Sequence, residues 1–126
     1  MDKKILIWNC QGAGSNLTIK ATKDYIFQFN VSTLVLLETR VSGVHVDKII
    51  HNIGLQHSFR VEASGFAGGI WVMWKDAIKV RVLSYTFQWI TMSIRGLEFP
   101  DFLFTAIYDS PNAMIRRSLW PQLLEL

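Results

Sequence analysis

Three polar residues in this chain stand where an apolar segment stops. Asn9 closes Ile5-Leu6-Ile7-Trp8, Glu38 closes Leu34-Val35-Leu36-Leu37, and Tyr108 closes the segment from Phe102 to Ile107. Short apolar runs rich in β-branched and aromatic residues predict buried strands. In open α/β sheets, functional groups gather at the carboxyl ends of strands, where the backbone leaves the core and side chains meet solvent. A carboxylate there suits a hard cation. Mg²⁺ takes oxygen donors, uses one or two carboxylates, and leaves its other positions to water and substrate phosphate. An amide and a phenol nearby could orient that phosphate. Glu38 also has an ordinary use, as a solvated strand end paired with Arg40.

Bringing the three together is the task of the elements between them. A strand over 4–8 leads into a loop, Asn9 to Asn16, rich in turn formers. Ile19, Thr22, Tyr25/Ile26 and Phe29 fall at helical spacing, which predicts a helix over 18–29. A second strand covers 33–37. Ser42 is a candidate cap for a helix through Val46, Ile49, Ile50 and Ile53, with Gly54 as its stop. Strands are expected at 57–63 and 70–74, with a turn between them. Ile78, Val80 and Val82 alternate with Lys79 and Arg81, and Ile90, Met92 and Ile94 with Thr91 and Ser93, the pattern of strands with one wet face. A turn at 96–100 precedes a strand over 102–108. Ser110 and Pro111 have the types that open a helix, and Pro121 should kink or end it. This order implies an α/β or α+β layered fold with a mixed sheet.

Composition narrows the classes. The 126 residues suffice for one domain. Half are hydrophobic, 18% are charged, and the mean hydropathy is +0.23. Even so, no apolar run approaches the roughly 20 residues that span a bilayer. The apolar stretch after Met1-Asp2-Lys3-Lys4 is too short for a signal-peptide core. The single cysteine, Cys10, excludes an internal disulfide and a cysteine metal set. These features fit a protein that is intracellular, nuclear or cytoplasmic, and not secreted. A net charge of +3 and a pI near 9.2 permit nucleic-acid binding without requiring it. The glycines of Gln11-Gly12-Ala13-Gly14-Ser15 lack the spacing and lysine of a P-loop. Cys10 has no histidine partner in the pattern, which argues against a thiol nucleophile. Trp89 is the best candidate for an exposed base-stacking ring, with core packing the favoured role. Arg116 and Arg117 would suit a DNA backbone or a plain solvated helix face equally.

Four segments, in order, carry a family resemblance. Ile5-Leu6-Ile7-Trp8-Asn9-Cys10-Gln11-Gly12-Ala13-Gly14 resembles the opening motif of the endonuclease/exonuclease/phosphatase superfamily in its plant LINE-type (non-LTR) retrotransposon form. Leu34-Val35-Leu36-Leu37-Glu38-Thr39-Arg40 is similar to its second motif, which contributes a metal-binding glutamate. Gly65-Phe66-Ala67-Gly68-Gly69-Ile70-Trp71-Val72-Met73-Trp74-Lys75 is similar to its Gly-Gly strand segment. Thr105-Ala106-Ile107-Tyr108-Asp109-Ser110-Pro111, with Arg116-Arg117-Ser118-Leu119-Trp120, resembles its tyrosine strand and following helix. Together they span nearly the whole chain.

The resemblance implies half of a two-sheet, DNase I-like α/β sandwich, with mainly antiparallel sheets and flanking helices. It implies metal-assisted hydrolysis of a DNA phosphodiester with Mg²⁺, or Mn²⁺ in its place, and no small-molecule cofactor. Glu38 would hold the metal, with Gln11 near it. Asn9 would orient phosphate or water, and Tyr108 would contact the scissile phosphate. Asn112 loosely matches an asparagine that follows the tyrosine, and Arg116 would lie against substrate. Asp109 departs from the small residue expected there. The family's Gly-Asp-Phe-Asn and Ser-Asp-His segments are not among the 126 residues. They supply the residue that positions the attacking water and the catalytic histidine. The expectation is therefore a truncated domain over 1–126, inactive or nearly so, since losing members of a catalytic unit costs orders of magnitude. If the facing sheet comes from elsewhere, an apolar sheet face lies open to self-association. The rival expectations are a non-enzymatic nucleic-acid- or protein-binding remnant and an unstable one.

Overall fold

The computed structural model describes residues 4–64, 68–97 and 99–108. They form β1 (Ile5–Asn9), α1 (Asn16–Phe29), β2 (Thr33–Leu37), α2 (Val44–Ile53), β3 (His57–Val61), β4 (Ile70–Trp74), β5 (Lys79–Tyr85), β6 (Trp89–Gly96) and β7 (Phe99–Ile107). The helix expected after Ser110, with Asn112 and Arg116 on it, lies outside the described residues.

Two sheets result. One has the order β1-β2-β4-β3, the other β5-β6-β7. β1 and β2 are parallel, joined by α1, so their carboxyl ends share one rim. Every other pairing is antiparallel.

The apolar runs of β2 and β4 are continuous because both faces of these strands are covered. Leu34, Leu36, Trp71 and Met73 pack with Val46, Ile49, Ile50 and Ile53 of α2 and with Ile19 and Ile26 of α1. Val35, Ile70 and Val72 face Ile90, Met92, Ile94 and Ala106 of the second sheet. This gives three layers, helices on sheet on sheet. It also corrects one conditional expectation. Both sheets lie within the described residues, and the inner face of the four-stranded sheet is covered rather than open. Burial of that interlayer apolar area is the main stabilising term. On edge strand β1, Ile7 remains 50% exposed.

Local signals explain the ends. Ser15 caps α1 by accepting from the Thr18 N–H, and Asn30 and Gly54 end the two helices in the left-handed conformation. Ser42 does not cap α2. Gly43 holds that position with no side-chain bond, because the helix begins later than the sequence suggests. The turn before β7 is also tighter than expected, since Gly96 pairs with Phe99 and Pro100 already lies in the strand. Trp89 is buried at 5% exposure, so packing is its role and base stacking is not. Among the described residues, no helix is long and apolar enough to cross a membrane.

Candidate functional site

The carboxyl ends of β1 and β2, the start of β4 and the end of β7 meet at one rim. Asn9 pairs in register with Leu37, the residue before Glu38. Past the strands, backbone bonds continue the join: Gly12 N–H to the Glu38 carbonyl at 2.9 Å and Ala13 N–H to the Thr39 carbonyl at 2.8 Å. Across β2, the Arg40 N–H donates to the Gly68 carbonyl at 2.9 Å and the Thr39 N–H to that of Gly69 at 3.4 Å. The Tyr108 N–H donates to the Gln88 carbonyl at 2.7 Å, and a Cβ on Gly68 would sit 3.6 Å from the Tyr108 ring. Four of the sequence-predicted residues, Asn9, Gln11, Glu38 and Tyr108, thus stand on strands or loops that meet here. Asn112 and Arg116 lie outside the described residues.

The rim is strained. Gln11, Glu38 and Arg40 have φ of 50°, 57° and 57°, left-handed values that non-glycine residues adopt at a cost of about 1–2 kcal/mol each. Such strain persists where surrounding bonds over-determine the backbone, and it clusters at functional sites. Glu38 cannot continue the strand alternation with that φ.

The charges are arranged around Arg40. Its Nη2 donates to Glu38 Oε1 at 2.8 Å and its Nη1 to the Gln11 carbonyl at 3.4 Å. The Glu38 side chain is 11% exposed and that of Arg40 42%. The hydrogen bond to Glu38 raises the Arg40 pKa above its ordinary value, helped by the charge on Glu38 and by Tyr108 and Cys10. Asn9 and Gln11 are exposed, whereas Tyr108 is 6% exposed. Cys10 turns toward the helices, and burial pushes its thiol pKa up. A neutral thiol is a poor nucleophile, as the sequence suggested.

Glu38 would offer a hard cation a carboxylate oxygen, and two exposed carboxamides, Asn9 and Gln11, stand on the adjoining strand end and loop. That donor chemistry suits Mg²⁺ with waters and phosphate completing the shell. Among the described residues, no group of three or more His, Cys, Asp or Glu could hold a metal. His45 and His51 are exposed on α2, and His57 pairs with Trp74 at the opposite end of the sheet.

Sequence reasoning undervalued Arg40, seen only as a salt-bridge partner, and Thr39. The Thr39 hydroxyl is buried without a hydrogen-bond partner and presses on Gly69, where a Cβ would lie 2.1 Å away. The available signal was the Gly68-Gly69 pair before an apolar strand, which marks a close backbone approach.

No family model and no curated protein matches the chain. Among solved structures it is similar to the crystal structure of the AP endonuclease LMAP from Leishmania major, with a TM-score of 0.63 and 12% identity. The match covers 92% of this chain and 43% of that one, so the chain spans less than half its structural neighbour. The likeness shows the fold, a DNase I-like α/β half-sandwich.

Proposed function

We propose that these residues are the phosphate- and metal-facing part of a Mg²⁺-dependent DNA endonuclease of the plant LINE-type retrotransposon kind, catalytically incomplete as they stand. The observation that carries this is the rim itself. The backbone segments that carry a nearly buried carboxylate, two exposed amides, a guanidinium and a phenol are bonded together at strand ends, on left-handed backbone at three of these residues. The four ordered motifs support the retrotransposon kind, and the AP endonuclease fold of the structural neighbour supports a DNA substrate.

Within this reading each residue has a task. Glu38 and the amides of Asn9 and Gln11 would hold the metal. When bound, it would neutralise charge developing on the phosphate. Asn9 would donate its amide N–H to a phosphate oxygen. Arg40 presents a planar fork that suits a phosphate. Tyr108, held between Gly68 and the residue before the start of β6, would set the depth to which phosphate enters. The family's Gly-Asp-Phe-Asn and Ser-Asp-His segments, which would supply the water-positioning residue and the catalytic histidine, are not among the 126 residues.

The test is nicking of supercoiled plasmid with Mg²⁺ by the purified chain beside Glu38→Ala. The expected outcome is no nicking above the variant. Nicking abolished by EDTA and by the substitution would refute the incompleteness and place a complete site in these residues. A second reading, metal-independent nucleic-acid binding, rests on Lys79, Arg81 and Arg95, which line a shallow depression of about 210 Å³ on the three-stranded sheet, far from Glu38. It calls for DNA binding that EDTA leaves intact, with a log–log salt slope of about −2 to −3 for three cations.

A further inference from the structure

Arg40 occupies the charge position that a metal would want. Its guanidinium bonds to the nearly buried Glu38 carboxylate at 2.8 Å, and its second nitrogen reaches the Gln11 carbonyl at 3.4 Å. Its own backbone is pinned to Gly68 and twisted to a φ of 57°. A surface arginine with only a solvated role needs none of these restraints. Yet the guanidinium is 42% exposed, so it can leave Glu38 without crossing the core, whereas the carboxylate at 11% cannot readily turn to solvent. A carboxylate this buried needs a cation beside it at all times.

We propose that Arg40 is a tethered placeholder cation that exchanges partners, pairing with Glu38 when the site is empty and with a substrate phosphodiester when Glu38 takes a divalent metal. This rests on the proposed role of Glu38 as a metal ligand and adds a consequence to it. Metal and phosphate each release the other's partner, so each must bind more tightly in the presence of the other. The exchange keeps the buried carboxylate paired throughout. It also lowers occupancy by free metal when no nucleic acid is present. No covalent step is involved.

The linkage is reciprocal and therefore measurable from both sides. Mn²⁺ binding is followed by loss of the free-ion EPR signal, with and without a short duplex DNA and with a DNA-only control. DNA binding is followed by fluorescence anisotropy, with and without Mn²⁺. The wild-type chain should show the same coupling factor in both titrations. Arg40→Gln should bind Mn²⁺ alone about threefold more tightly, the scale of one exposed ion pair, and lose most of the coupling. Glu38→Gln should abolish Mn²⁺ binding at the rim and raise metal-free DNA affinity about threefold, because Arg40 is freed. If Arg40→Gln does not fold, Arg40→Lys, which retains the charge but not the fork, should give an intermediate coupling. Unchanged Mn²⁺ affinity and coupling in the Arg40 variants, with Mn²⁺ binding lost in Glu38→Gln, overturns the exchange and leaves the metal reading intact. Unchanged Mn²⁺ binding in Glu38→Gln overturns both.

Discussion

The two ends of the four-stranded sheet are made from the same strands and differ in almost everything else. At the end carrying Asn9 and Glu38, three non-glycine residues are left-handed, two glycines admit close neighbours, and a carboxylate is nearly buried. At the other end, near Thr33 and Trp74, the only left-handed non-glycine residue among those described is Asn30, an ordinary choice at a helix end. The charged side chains there make exposed contacts, Lys75 to Asn30 at 2.8 Å and His57 to Asp76 at 2.6 Å, and the part-buried bond is a neutral one, from the Ser32 hydroxyl to the Lys4 carbonyl at 3.0 Å. Strain has been concentrated on one rim and kept off the other. A protein that needed only a folded sandwich would gain stability by relaxing both, and the asymmetry is what the function proposed for the rim would require.

The largest way to break this comparison is Gly69→Ala. The residue has a φ of 100°, and its Cβ would meet Thr39 Oγ1 at 2.1 Å and the Ala63 Cβ at 3.3 Å. Both the left-handed penalty and overpacking apply, which together should cost about 2–4 kcal/mol. Gly54→Ala is the control. Its φ is 92°, but nothing lies within 4 Å of the new Cβ. It should cost only about 1 kcal/mol. Urea denaturation of both variants measures the difference, and equal losses would remove the close packing from the account of the rim.

A smaller effect of opposite sign is expected from Thr39→Val. The Thr39 hydroxyl is fully buried and has no hydrogen-bond partner. Burying a hydroxyl unpaired costs about 1–3 kcal/mol, and valine fills the same space without it. The variant should therefore be more stable by about 1 kcal/mol in the same denaturation series. A loss of stability would mean that the hydroxyl is satisfied and that this part of the rim is not strained.

Much of this was legible before the structure. β2 and β4 announced two covered faces by unbroken apolar runs, and the alternation in β5 and β6 announced one wet face. The convergence of Asn9 and Glu38 followed from a strand-helix-strand order, which makes the first two strands parallel neighbours. What could not be read was tertiary. Left-handed backbone at Glu38 and Arg40 has no local signature, because neither residue type prefers it. Ser42 looked a better cap than Gly43, but the position of α2 is set by packing Val46, Ile49, Ile50 and Ile53 rather than by its cap. The covered inner face was hidden for a similar reason. An alternating strand shows that one face is buried without showing against what.

The smallest effect sharpens the comparison from the relaxed end. His57 Nε2 lies 2.6 Å from Asp76 Oδ1, the His57 ring stacks on Trp74 at 5.9 Å, and the Asp76 N–H donates to Gln56 Oε1 at 3.1 Å. The hydrogen bond and charge of His57 hold the Asp76 carboxyl below its ordinary pKa of 3.8. A lowered folded-state value means that the carboxylate favours the folded state above the unfolded pKa. That contribution disappears as pH falls through the folded one. Asp76→Asn should therefore melt slightly below the wild type near pH 5, and the gap should shrink as pH falls below 3.8 and through the lowered folded-state value. The gap should also shrink in high salt, because the Asp76 side chain is 82% exposed and its charge is screened. Thermal melts across pH at two ionic strengths measure this. A gap that widened on acidification, or that salt left unchanged, would mean that the far end also holds a buried, restrained charge, and the contrast between the two ends of the sheet would fail.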